Sequence, residues 1–316
     1  MNETRISELK RIFVVGCKRS GTTWTTLLLA QHPAVAAFHH SKFFHYLGCL
    51  ELWWKQRESK LPDSAVSKKT IYRSCREVAL RVFDDVARSK PGAHAVVDKT
   101  PENLQLARFI LKVFPDAYFI HVIRDPRSVF SSLRSGGESW ARWEFPTKPF
   151  DGAKLWREEV EMGQRICKLT ERYLEVRYEA LSENGPSELE KIFAWLELPA
   201  DRELCAQALA ACAIDKVREK SKMPAGFFRQ GEAEAWRQEL SAFEVRIIEH
   251  VARGLMQELG YECVAAPFKH TPFRLRLHEG TDQVLSSLDR HFNRVSKAVL
   301  RRWRGRELDY PEIVVY

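Results

Sequence analysis

The chain has 316 residues, 45% of them hydrophobic, which suits one large core or two modest ones without covalent staples. Its seven cysteines form no C-x-x-C pair and no His/Cys spacing suited to zinc, so a disulfide scaffold is excluded and reduced thiols in a cytoplasmic compartment are expected. The net charge of +8 favours anionic ligands, yet no stripe of interleaved basic and aromatic residues marks a nucleic-acid groove.

The amino-terminal "MNETRISELK" lacks the apolar segment of a signal peptide, and no run approaches the roughly 20 apolar residues that span a bilayer. "RIFVVG" (11–16) reads as a buried strand and "TTWTTLLLAQH" (22–32) as a helix stopped by Pro33. Between them lies "GCKRSGTTW" (16–24). It has the glycine spacing and the hydroxyl of the phosphate-binding loop G-x-x-x-x-G-K-[ST], but Thr22 stands where that loop has lysine. Lys18, which reads as a surface charge, and Arg19 lie inside the loop instead. A strand, a turn and a helix N-terminus make an anion site from backbone N–H groups and the helix dipole. Gly21 lets a ligand approach closely, and Ser20, Thr22 and Thr23 add hydroxyls. The missing lysine and the lack of a magnesium-binding acid disfavour ATP hydrolysis. The expected ligand is a shorter anhydride, with no metal.

The aromatic segment "FHHSKFFHYLGCLELWW" (38–54) either lines an acceptor pocket or packs on the sheet. "AHAVVDK" (93–99) reads as a second strand and "PENLQLARFILKVF" (101–114) as an amphipathic helix. "AYFIHVIRD" (117–125) is the strongest strand, and "PRSVFSSLRS" (126–135) opens a helix on proline. Arg127 and Arg134 read as solvated or helix-end charges. Residues 151–173 read as one helix and "YLEVRYE" (173–179) as a fourth strand. Capping boxes at Ser187/Glu190 and Ser241/Glu244 predict helices over 188–198 and 242–260. Strands alternating with helices predict an α/β fold, a parallel sheet covered on both faces, with ligands beyond the carboxyl ends of the strands. A boundary near Gly260 divides a domain over 1–260 from a basic extension over 261–316. In that extension Val284, Leu288, Phe292, Val295, Val299 and Trp303 form an apolar helical stripe flanked by arginines. It either packs on its own domain or touches an anionic membrane or a second protomer.

Four segments together resemble the sulfotransferases that use 3′-phosphoadenosine-5′-phosphosulfate (PAPS). "RSGTTW" resembles their 5′-phosphosulfate loop, and "FIHVIRDPRSVFSSL" their 3′-phosphate segment, with Arg124 and Ser132 eight residues apart. "FFRQGEAEAWR" is similar to F-x-R-K-G-x-x-x-x-W-K, with Gln230 departing from the second cation, and "VRYEAL" is similar to Y-E-D-L. The resemblance implies a P-loop-like fold and PAPS as co-substrate. It assigns the leaving oxygen to Arg19, the sulfuryl group to Lys99, the adenine to Trp24 and Tyr178, and the 3′-phosphate to Arg124, Ser132, Arg229 and Gly231.

Cytosolic members carry a catalytic histidine in K-T-H; here "KTP" puts Pro101 in that place. Other branches place a glutamate twenty-one residues after the loop arginine, and the same count from Arg19 reaches His40. His40 is the expected base, with His39, His45 and Glu102 as alternatives, because a neutral imidazole accepts a proton near pH 7. The implied activity moves a sulfuryl group to a hydroxyl of a small molecule, carbohydrate or lipid; "RSGTT" and "DKTP" look more like the carbohydrate-type and bacterial branches. A P-loop kinase or nucleotide hydrolase, or a non-catalytic nucleotide-binding relative, are the competing functions.

Overall fold

Strand β1 (Lys10–Gly16) forms because its apolar, β-branched run is buried on both faces. Ile12 and Val14 enter one apolar cluster, and Phe13 and Val15 a second. This alternation is the period-2 geometry of a strand. The computed structural model describes residues 8–39, 41–58, 67–142, 144–220, 224, 227, 234–268 and 314–315.

Strands β2 (Val35–His39), β3 (Ala95–Lys99), β4 (Tyr118–Ile123) and β5 (Tyr173–Arg177) run parallel with β1, and the short β6 (Val314–Val315) adds an antiparallel edge. The order is β5-β4-β1-β3-β2-β6. The sequence reading missed β2, a five-residue run too short and alanine-rich to stand out, and with it the position of β3 between β1 and β2.

Helices cover both faces, as expected. Helix α1 (Thr22–Ala30) follows β1, while α2 (Phe43–Glu58) and α3 (Lys68–Arg88) connect β2 to β3. Helix α4 (Asn103–Val113) leads to β4, and α5 (Pro126–Glu138) and α6 (Pro149–Gln164) lead to β5. Then come α7 (Tyr178–Glu183), α8 (Gly185–Trp195), α9 (Arg202–Ala211), α10 (Ile214–Lys220), α11 (Trp236–Glu239) and α12 (Ala242–Glu258). Phe83 of α3 is an aromatic hub on one face, with Phe13, Phe38, Phe44 and Phe114 at 5.4–6.2 Å between ring centroids.

Three local expectations are corrected. The helix predicted over 151–173 ends at Gln164, followed by a 3₁₀ turn, because Tyr173 begins β5. The Ser187 box does not form: Pro186, suited to a first turn, lets α8 begin at Gly185, so Ser187 is already inside it. The Ser241 box does form, with Glu244 reciprocating. Arg127, read as a solvated or helix-end charge, does sit in the first turn of α5 but is not solvated, being 4% exposed.

Met1–Cys263 with Ile313–Tyr316 make one unit, and Val264–Glu312 the other. The apolar stripe over 284–303, with its membrane or protomer contact, lies outside the described residues. Among the described residues no helix is long and apolar enough to cross a membrane, and all seven cysteines are free thiols.

Candidate active site

The carboxyl ends of the parallel strands gather most of the candidate residues at one edge. β1 ends at Gly16, whose partner in β4 is Val122; β3 ends at Lys99, opposite His39 of β2; β4 ends beside β5 with Ile123 opposite Arg177. Arg124 and Tyr178 follow directly.

The loop after β1 is tightly specified. Ser20 N–H donates to the Cys17 carbonyl at 3.0 Å, and Arg19 takes a left-handed φ of 71°. Gly21 has φ 100°, and a Cβ there would collide with the Tyr178 ring. Lys18 N–H donates to Glu159 Oε2 of α6 at 3.1 Å, so one loop amide is turned onto a buried carboxylate. Burial raises both the Glu159 carboxyl and the Cys17 thiol beside it. At the start of α1, the N–H groups of Thr22, Thr23 and Trp24 have no acceptor within the helix. Ser20 Oγ is buried with no hydrogen-bond partner among the described residues. Orphan amides, a dipole end and an unmatched hydroxyl fit a phosphate-like anion.

Trp24 donates Nε1–H to the Cys212 carbonyl at 3.0 Å and meets Tyr178 edge-on at 5.5 Å. The Arg124 guanidinium lies 4.1 Å from the Tyr178 ring centroid. Ser132, 6% exposed, accepts Arg19 Nε–H at 2.9 Å. Arg19 also donates to the Phe227 carbonyl at 2.5 Å and stacks on its ring at 4.9 Å. The loop arginine thus reaches the residue read for the 3′-phosphate. Nothing in the sequence signals this contact, which bridges 113 positions.

Lys99 is 4% exposed. Burial lowers its pKa to about 7, with Glu102 and Asp98 opposing the shift and Arg19 and Lys18 adding to it. Burial raises Asp98 to about 6, against a hydrogen bond from Thr100 Oγ1 at 2.9 Å. Burial also lowers His45, with Glu102 opposing. His40, the side chain of His39, Arg229 and Gly231 lie outside the described residues. Sequence reasoning missed Glu159 beneath the loop and the buried partners of Arg127. Each depends on a contact between distant elements.

The model of the sulfotransferase family matches residues 11–202. The chain belongs to the sulfotransferase family. Its match to the protein-tyrosine sulfotransferase of Drosophila melanogaster is 23% identical over 197 residues, 61% of this chain and 39% of that one. Human carbohydrate sulfotransferase 1 is 22% identical over 223 residues, 65% of this chain and 53% of that one. This sulfotransferase-family chain spans only 39–54% of the length of the first curated relatives it matches. Mouse sulfotransferase SULT7A1, solved with PAP, shares the fold with a TM-score of 0.53 at 13% identity, covering 82% of this chain and 90% of that one.

Proposed function

We propose that this protein transfers the sulfuryl group of PAPS to an acceptor hydroxyl. One observation carries the reading: two anion-suited positions share one sheet edge and are linked through the Arg19–Ser132 hydrogen bond of 2.9 Å. One is the loop at the N-terminus of α1, and the other is Arg124 with Ser132. A nucleotide phosphorylated at both 5′ and 3′ ends suits this pair, and ATP has no 3′-phosphate for the second position.

In this reading the loop amides and the hydroxyls of Ser20, Thr22 and Thr23 hold the 5′-phosphosulfate, with Gly21 allowing close approach. Trp24 and Tyr178 hold the adenine. Arg124 and Ser132 hold the 3′-phosphate, completed by Arg229 and Gly231 on the strength of the resemblance. PAPS supplies an activated sulfuryl group. Arg19 and Lys99 set positive charge where the leaving oxygen gains negative charge. His40 takes the acceptor proton; the pairing of His39 with Lys99 across β2 and β3 supports a base at this edge. No metal is assigned a part. The acceptor class is a carbohydrate or glycolipid hydroxyl, supported by "RSGTT", by "DKTP" and by the carbohydrate enzyme among the relatives.

Thermal unfolding with adenosine 3′,5′-bisphosphate and with ADP tests the nucleotide. Stabilisation by the bisphosphate alone is expected. Equal or better stabilisation by ADP supports a kinase-like protein instead, and none by either points to a non-catalytic relative. Transfer of labelled sulfate from PAPS to a panel of sugars, glycolipids, phenols and tyrosine peptides tests the acceptor class. For the base, His40→Ala abolishes transfer and leaves bisphosphate binding intact. Near-normal transfer by that variant moves the role to His39, His45 or Glu102.

A further inference from the structure

The turn from β4 into α5 is built around a buried ion cluster. Arg127, 4% exposed, donates through Nε and Nη2 to the Asp125 carboxylate at 3.0 and 2.6 Å. Its Nη1 donates to Glu249 Oε1 of α12 at 2.7 Å. Glu249 is fully buried and also meets Arg253 at 3.8 Å. The Arg127 guanidinium lies over Trp236, 4.0 Å from its ring centroid. One fork thus joins the start of α5, α12 and α11.

Taking such charges out of water costs several kcal/mol per ion, and apolar replacements of buried ion clusters are often as stable. Stability alone is therefore a poor account of the cluster. Its position is a better one. Asp125 caps α5 by accepting Arg127 N–H at 2.8 Å, and its own N–H donates to Glu179 Oε1 at 2.8 Å. Glu179 follows Tyr178, whose ring carries the Arg124 guanidinium. The Arg124 carbonyl accepts Trp156 Nε1–H at 2.8 Å. The residue that Arg127 grips is thus the one after Arg124, at the point where that chain leaves the sheet.

We propose that Arg127 is a positioning residue for nucleotide selection: by locking Asp125 against Glu249 and Trp236, it fixes the exit of Arg124, and so sets the preference for a 3′-phosphorylated nucleotide. The inference rests on the reading of Arg124 and Ser132 as the 3′-phosphate donors. It needs a guanidinium, because one planar group must serve two carboxylates and an aromatic face at once, which an ammonium does not do.

The test is calorimetric binding of adenosine 3′,5′-bisphosphate and of AMP to the wild type, Arg127→Lys and Glu249→Gln. The wild type prefers the bisphosphate. Arg127→Lys keeps AMP affinity within about twofold and loses about tenfold of the preference, the scale of one charge-assisted hydrogen bond. Glu249→Gln, which leaves an acceptor for the fork, loses about threefold and carries the test if Arg127→Lys does not fold. Equal weakening of both nucleotides, or an unchanged preference, overturns the role and leaves Arg127 as structural support. A wild type with no preference overturns the 3′-phosphate reading itself, a separate failure.

Discussion

At Lys99 burial outweighs the two carboxylates, Glu102 and Asp98, that favour the ammonium. Burial, with Arg19 and Lys18 adding to it against Glu102 and Asp98, leaves its pKa at about 7, so near pH 8 it is mostly neutral. An anion bound at the loop favours the ammonium and pushes the value back up. Binding of adenosine 3′,5′-bisphosphate at pH 8 is therefore expected to take up about one proton, since bound and free states differ in protonation across that window. Calorimetry in buffers of different ionisation enthalpy measures this uptake directly. Lys99→Met abolishes it; a wild type that takes up no proton separates Lys99 from the anion site. "DKTP" was legible as a candidate from its resemblance. The depressed lysine was not, because desolvation belongs to the packed edge and not to the strand.

At the scale of elements, β1, the loop and α1 form one unit whose glycines are demanded by neighbours in α7 and β4. Gly21 must clear Tyr178, and Gly16 must clear the Val122 carbonyl. The β4–α5 turn is equally explicit, with Pro126 in the first turn and Asp125 as cap. Helices α2 and α3 are different. They pack on the sheet face through the aromatic cluster centred on Phe83, remote in sequence from most of its partners. Phe83→Ala is expected to cost about 3–5 kcal/mol, the range for deleting a fully buried phenyl ring. Urea denaturation measures the loss. The variant's preference for bisphosphate over AMP stays that of the wild type, because the hub lies among the packing helices and not at the loop. A changed preference couples this face to the site.

For the whole molecule, two buried groups set opposing acid responses. His121, fully buried against Tyr173 at 2.7 Å, is lowered from 6.5 to about 3. The unfolded chain binds more protons there between those values, so this group makes stability rise with pH. Asp98 is raised from 3.8 to about 6, so the folded state binds more protons in that window and stability falls as pH rises. The two nearly cancel between pH 4 and 6. Asp98→Asn leaves the histidine unopposed, and the stability of the variant is expected to rise by about 1.4 kcal/mol per pH unit more steeply across that range. Denaturant titrations at several pH values measure the slope, and an unchanged slope removes Asp98 from this balance. By itself the sequence determined the α/β class, the strand–loop–helix at Gly16, the "RDP" turn after β4 and the family. These rest on local rules: apolar periodicity, glycine and proline geometry, and residues adjacent in the chain. Only the tertiary structure decided that β3 lies between β1 and β2, that Arg19 meets Ser132, that Glu159 braces the loop, and that Arg127 is buried between two carboxylates. These contacts join residues from distant elements, and the free energy that selects them comes from packing both faces of one sheet.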